Sequence, residues 1–358
     1  MNIALYSPAE DARFGFALRE ERGMGGSEAH AQMRMQEWAR RGHTCAIFDG
    51  TLRSAPQDVR NENGVAFWPP SCFNEWNANC WDLFILQRRA PADHSLLEKI
   101  RAFRVFSNND NLPREHPACV EWREHVFPNV DAVMAYSWFH WSRVVFEHGA
   151  PPEKTHVIPH PLDPREFPEP WAAKVPGRFI YCSLPNRGLG RVIECWPHIK
   201  ALLPEATILV AGDYTIRDGP AHADTLRANN AEFFGREEVA FEGALGSARL
   251  REEQAKAEVL LFPTEAEETF CASVAECQAA GCVPVLTPVG ALPETAVPEV
   301  TARFGKWQTA EQFARKAVAL IEDREALRRM AEAGRARALR EFDVARICDR
   351  WEQLLKEA

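Results

Sequence analysis

Prolines break this chain into two stretches that repeat one rhythm. Pro159, Pro161, Pro164, Pro168, Pro170 and Pro176 crowd a single segment. A residue with a fixed φ and no amide donor neither continues a helix nor sits in a central strand. Before the break, short apolar runs at residues 2–6, 44–48, 83–86, 104–107, 132–136 and 156–158 alternate with helical or irregular stretches. After it the rhythm restarts, with strand-like runs at 179–182, 207–211, 239–241, 257–262 and 283–287. Helical patterns fall near 191–203 and at 272–280, the second stopped by Gly281. Strands that alternate with helices form parallel sheets, and 358 residues exceed what one core usually fills. The prediction is an α/β chain of two doubly wound domains joined at the prolines. From 310 to 358 the pattern is almost wholly helical, with Gly334 predicting a break between helices.

In the first strand–helix unit, a polar stretch carries Arg13, Arg19 and Arg22, which read as solvated surface charges. Gly25, Gly26 and Ser27 follow, ahead of a helical pattern at 28–40 that Ser27 is placed to cap. Lys and Arg total 42 against 51 for Asp and Glu, and a net charge of -9 repels a polyphosphate backbone, so nucleic acid is not an expected partner. No apolar run approaches the ~20 residues of a spanning helix. Met1 leads into the first strand without a basic segment or an apolar signal core, and the expected location is cytoplasmic. Peripheral contact with a membrane stays open. The ten cysteines include no Cys-x-x-Cys pair, which speaks against a zinc site or a disulfide framework. His156 and His160 are four apart, but the prolines around them forbid a helix presenting both to a metal.

Pro263 ends a buried strand, and Thr264 to Phe270 form a polar loop leading to a helix that holds Glu276. Open α/β sheets bind ligands at the carboxyl ends of their strands, where helix N-termini offer unpaired amides. Glu276 stands among Ala275, Cys277, Ala279 and Ala280, and a carboxylate in such a helix needs a partner, which a ligand's hydroxyls would supply. Taken alone, Glu268 could equally be a solvated loop acid like Glu265 and Glu267, with Glu276 facing water.

The wider text reads Phe262-Pro-Thr-Glu-Ala-Glu-Glu268-Thr-Phe-Cys271, then Glu276-Cys-Gln-Ala-Ala-Gly-Cys-Val-Pro-Val285, then Gly290 and Glu294. It resembles the family 4 glycosyltransferases of the GT-B fold, in which a Glu followed by Gly-Phe-Gly precedes a second Glu. Glu268 and Glu276 match the paired acids and Phe270 the central Phe, while Thr269 and Cys271 stand where the family has glycines. Gly25, Gly26, Ser27 and Glu28 resemble the family's Gly-Gly-x-Glu loop. Arg187 takes the place of a phosphate-binding Lys, with Cys182 or Ser183 where a first cation usually stands. Val157 to Asp163 and Ser137 also match the family's text. Phe106 to Asp110 occupies the place of a His-Asp pair, with Asn109 at the histidine's position.

The resemblance implies two Rossmann-like domains facing a cleft. Residues 1–168 would form an acceptor domain, joined by a C-terminal helix 343–358 that crosses back to it, and 169–342 a nucleotide-sugar donor domain. It implies transfer of a sugar from a nucleotide-sugar donor to a hydroxyl acceptor, a glycan, glycolipid or small metabolite, with retention of configuration and without cofactor or metal. Glu268 and the amides near Phe270 and Cys271 would hold the sugar, and Glu276 would accept from the ribose hydroxyls. Arg187 and the amides at Gly25 and Gly26 would face the diphosphate, and the bulk of Thr269 and Cys271 would restrict the sugar. Asp110 could orient an acceptor hydroxyl or cap the turn before Pro113, with Arg88, Arg89 and Trp81 near the acceptor. Catalytic roles fall to Arg187, Glu268 and Asp110. A nucleotide-sugar epimerase or phosphorylase of the same architecture accounts less well for the acid pair. A noncatalytic nucleotide-sugar binder is the reading favoured by the missing histidine and first cation.

Overall fold

The computed structural model of the chain describes residues 1–9, 14–52, 59–74, 79–214 and 220–357, so Arg13 lies outside the described residues. The chain divides into two compact units: Met1–Ala17, Met24–Pro161 and Val344–Ala358 form one, Leu18–Gly23 and Leu162–Asp343 the other. The first unit thus ends at Pro161, ahead of the boundary at 168 read from the prolines, and a short piece before Gly25 goes to the second.

The first unit is built on β1 (Asn2–Ser7), β2 (Thr44–Asp49), β3 (Arg60–Glu62), β4 (Val65–Trp68), β5 (Leu83–Gln87), β6 (Phe103–Ser107), β7 (Ala132–Ala135) and β8 (Thr155–Val157). They form one sheet in the order β3-β4-β2-β1-β5-β6-β7-β8, parallel except for the β3–β4 edge hairpin. Alternate residues feed opposite faces: Ile3, Leu5, Leu83, Ile85 and Val105 join one core, and Ala4, Tyr6, Phe84, Leu86 and Phe106 the other. Continuous apolar strands are what two covered faces require. α1 (Phe16–Arg22) precedes α2 (Gly26–Arg40). Gly25 is the N-cap of α2 and no side chain bonds there, so Ser27 lies inside the helix and does not cap it. Its hydroxyl instead accepts from Arg88 at 3.1 Å.

The second unit holds β9 (Arg178–Cys182), β10 (Thr207–Ala211), β11 (Val239–Gly243), β12 (Val259–Phe262), β13 (Val283–Leu286) and β14 (Arg303–Phe304), in the order β11-β10-β9-β12-β13-β14. All neighbours are parallel, the doubly wound arrangement. Its helices include α3 (Leu189–Leu202), α4 (Ser247–Lys256), α5 (Ala272–Ala279), α6 (Ala310–Glu322) and α7 (Arg324–Glu341). Gly334 does not break the tail; it lies buried inside α7, where a Cβ would stand 3.4 Å from the side chain of Gln278 on α5. The glycine serves close helix packing. The break falls at Asp323, whose carboxylate caps α7 by accepting from the Ala326 amide at 3.0 Å. α8 (Val344–Glu357) belongs to the first unit, where Trp351 packs edge-on against Trp38 of α2 at 5.9 Å. Among the described residues no helix is long and apolar enough to cross a membrane.

Candidate active site

In the second unit, strand order reverses between β9 and β12, and open α/β sheets bind ligands at such a reversal. β9 runs into the single turn Pro185–Arg187, and Gly188, at φ +115°, starts α3. Arg187 Nε stands 3.6 Å from Glu268 Oε1 in the loop after β12, with side chains 38% and 16% exposed. Burial raises the Glu268 carboxyl above its ordinary range, and the Arg187 charge opposes that rise. Behind Glu268 lies Gly290 at φ +57°, where a Cβ would come 2.7 Å from the Glu268 carbonyl oxygen and 2.8 Å from its nitrogen. That carbonyl accepts from the Ala291 amide at 2.8 Å. Thr269 follows, half-buried. The Phe270 ring is buried edge-on against Phe342 at 5.0 Å, and its carbonyl accepts from the Thr295 hydroxyl. Cys271 caps α5 at φ +72°, and burial pushes its thiol well up. The side chains of Phe270 and Cys271 therefore go to the core, and what they can offer a ligand is backbone.

Glu276, on α5, meets two residues one turn apart on α4. Arg251 Nη2 lies 3.2 Å from its Oε1, and Gln254 Nε2 donates to its Oε2 at 3.3 Å. Arg251 Nη2 also donates to Glu166 at 3.1 Å, and Glu166 receives both terminal nitrogens of Arg19, at 2.7 and 2.5 Å. Burial would raise the Glu166 carboxyl, but the Arg19 hydrogen bonds and the charges of Arg19 and Arg251 bring it below its ordinary range. Arg19 is 6% exposed and so is not the solvated charge expected of it; the Glu166 carboxylate offsets its desolvation. Arg22 does face solvent.

In the first unit, order reverses between β1 and β5. A Cβ on Gly25 would collide with the Glu28 carboxylate, which folds back beneath the start of α2. Arg88, beyond β5 at φ +66°, organises this end of the sheet. Its Nη1 donates to Glu28 at 2.7 Å and its Nε lies 3.2 Å from Asp110, while its carbonyl accepts from the Trp122 indole at 2.9 Å. Gly26 opens α2 beside this cluster. The turn at Asp110 is closed by Asn108, which accepts from the Asp110 amide at 3.0 Å and donates to its carbonyl at 2.9 Å. The Asp110 carboxylate lies on Arg88 instead. Arg89 is exposed, and Trp81 packs edge-on against Phe48 at 6.0 Å. His160 is buried between Tyr136, at 3.7 Å, and His30, at 4.3 Å. Among the described residues no group of three or more His, Cys, Asp or Glu could hold a metal ion.

Two Rossmann-like units, each with its polar cluster at a reversal of strand order, and a last helix returning to the first unit define the GT-B architecture of glycosyltransferases. Residues 181–337 match the sequence profile described as glycosyl transferases group 1. It is similar to the solved structure of sucrose-phosphate synthase from Thermosynechococcus elongatus, with a TM-score of 0.75, 17% identity and 99% of this chain and 98% of that one covered. It is similar to HepE of Anabaena in complex with UDP-glucose, at a TM-score of 0.74, 17% identity and full coverage, 100%, of both chains. A glycosyltransferase from Rickettsia africae follows at 0.71 and 16%, with 99% and 98% covered. At these identities the likeness is one of fold. Comparison with curated protein sequences gives no match.

Sequence reasoning did not find Arg251, Gln254 or Glu166. The spacing of Arg251 and Gln254 at i and i+3 was a usable signal, since it puts both on one face of α4. Arg88 was noted only as a neighbour of the acceptor, and its hold on Glu28 depends on a left-handed backbone that no residue pattern announces.

Proposed function

We propose that this protein transfers a sugar from a nucleotide-sugar donor to a hydroxyl acceptor, with retention of configuration and without a metal ion. The observation that carries the reading is the grouping of Arg187, Glu268 and Glu276 about the β9–β12 reversal, inside the segment that matches the group 1 family. In this reading Glu268 accepts from the sugar hydroxyls, with the Phe270 and Cys271 amides beside it, and Glu276 accepts from the ribose. Arg187, the more exposed partner of its pair, turns to the diphosphate and stabilises charge as the bond to the sugar breaks. Gly25 and Gly26, at the start of α2 in the first unit, offer helix amides of the kind that receive a phosphate. Asp110, held by Arg88, orients the acceptor hydroxyl. Thr269 narrows the choice of sugar, while Cys271, its side chain in the core, meets the sugar only through its backbone.

HepE of Anabaena was solved with UDP-glucose and with UDP and glucose, which makes uridine diphosphate sugars the first donors to try. The test is turnover of UDP- and GDP-sugars against glycan, glycolipid and small-metabolite acceptors, with the product's anomeric configuration read by NMR. Transfer that survives a strong chelator is expected; complete, metal-restorable loss would overturn the metal-independent part. Donor conversion without acceptor would point to an epimerase. Glu276→Ala should chiefly weaken nucleotide binding. Arg187→Ala, removing a charge-assisted contact of about 1.5–3 kcal/mol, should weaken donor binding roughly 10 to 150 fold.

A further inference from the structure

We infer that Arg251 and Gln254 are positioning residues for Glu276, aiming its carboxylate at the donor's ribose and thereby setting discrimination between ribose and deoxyribose. The inference rests on the reading of Glu276 as the ribose acceptor.

A glutamate on a helix surface samples many rotamers, and fixing one costs side-chain entropy. At Glu276 that cost is met before a ligand arrives, because each carboxylate oxygen already has a donor, Arg251 on Oε1 and Gln254 on Oε2. A carboxylate accepts about four hydrogen bonds, so each oxygen keeps roughly one free direction. Two spare directions at a fixed spacing suit the two hydroxyls of a cis-diol.

The aim is only as good as the anchor behind it. Arg251 is buried, with its guanidinium 4.7 Å from the Phe167 ring centroid and a shared nitrogen on Glu166. Glu166 is gripped by both arms of Arg19. The result is a chain of alternating charge, Arg19, Glu166, Arg251, Glu276, inside the second unit. Each inner member is paired on both sides, Arg251 buried and Glu166 half-buried, so the pairing offsets the desolvation and holds the geometry. Gln254 stands one turn along α4 and supplies a neutral second donor, so the carboxylate is clamped without being fully neutralised. A site built to bond a hydroxyl is left with an unpaired polar group when that hydroxyl is missing.

The test is calorimetric binding of UDP, GDP and ADP and of their 2′-deoxy counterparts to the parent protein, Arg251→Ala, Arg251→Lys and Gln254→Ala. The parent should bind the ribo form of its preferred diphosphate at least about tenfold more tightly than the deoxy form. Arg251→Ala and Gln254→Ala should bring that ratio toward one chiefly by weakening the ribo form, and Arg251→Lys should recover part of it. If Arg251→Ala does not fold, the Arg251→Lys and Gln254→Ala ratios decide. Variants that keep the parent's ratio, or weaken both forms equally, would overturn the positioning role while leaving the donor reading in place. A parent that binds none of the diphosphates would overturn the donor reading, and this inference with it.

Discussion

Cys271 places a Cβ in the left-handed region, at φ +72°, where relatives of the resembling family carry glycine. That conformation costs a side-chain-bearing residue about 1–2 kcal/mol, and a β-branched one more. Cys271→Gly is expected to fold with equal or better stability, since relief of strain offsets lost packing, whereas Cys271→Val should lose about 2 kcal/mol or more; urea midpoints compare them. Gly290→Ala would drive a methyl into the backbone of Glu268, and reduced donor turnover is expected even where the protein stays folded. Glu268 itself is held at a cost. Its folded carboxyl is raised by burial, against which Arg187 acts only in part, so its ionisation favours the unfolded chain. The penalty is present above the folded pKa and vanishes as pH falls toward the unfolded value. Glu268→Gln should therefore be more stable than the parent at pH 8, with the gain fading by about pH 4. A difference that does not change with pH would contradict this account.

Element boundaries followed local chemistry where that chemistry was strong. The strands of both sheets lie close to the apolar runs, because burial on both faces leaves little else they can be. The hairpin β3–β4 was not anticipated, although Asn63-Gly64, at φ +52° and +81°, is the sequence that a two-residue turn with both residues left-handed demands. Gly334 misled because a glycine wanted for close packing reads like one that ends a helix. The turn at 137–140 leads to a test. His140 is wholly buried, its Nδ1 accepting from the Tyr136 amide at 3.2 Å, and desolvation pushes its pKa down to about 3. His160 is lowered well below its ordinary value by burial first and by the charges of His30 and Arg34 after it. A histidine kept neutral when folded gains its proton on unfolding, so stability falls as pH drops below about 6.5, by about 1.4 kcal/mol per unit for each. Protection of β7 and α2 against hydrogen exchange, relative to the intrinsic rate at each pH, should fall between pH 7 and 5, and His140→Gln should flatten that dependence.

At the scale of the whole chain, the C-terminal helix completes the unit that the N-terminus begins. Val344, Ile347, Cys348 and Trp351 sit in the same core as Ile3, Leu5 and Trp38, and Arg41 of that unit reaches Asp349 and Glu352 at 2.8 Å each. Removing residues 344–358 should therefore destabilise the first unit, with faster exchange in β1, β2 and α2 than in β9 to β13. Trp351→Ala alone should cost about 3–5 kcal/mol. The sequence by itself determined two doubly wound units, the placing of the paired acids after β12 and of Arg187 after β9, and the match of residues 181–337 to the group 1 glycosyltransferase profile. These rest on periodicity, glycine and proline, and short text, all of which act over a few neighbouring residues. Only the tertiary structure decided that Arg19 is buried, that Glu276 is clamped from α4, and that Arg88 ties Glu28 to Asp110. In each case the partner arrives from a distant part of the chain, and the desolvation that makes such pairs matter exists only once the sheets have brought them together.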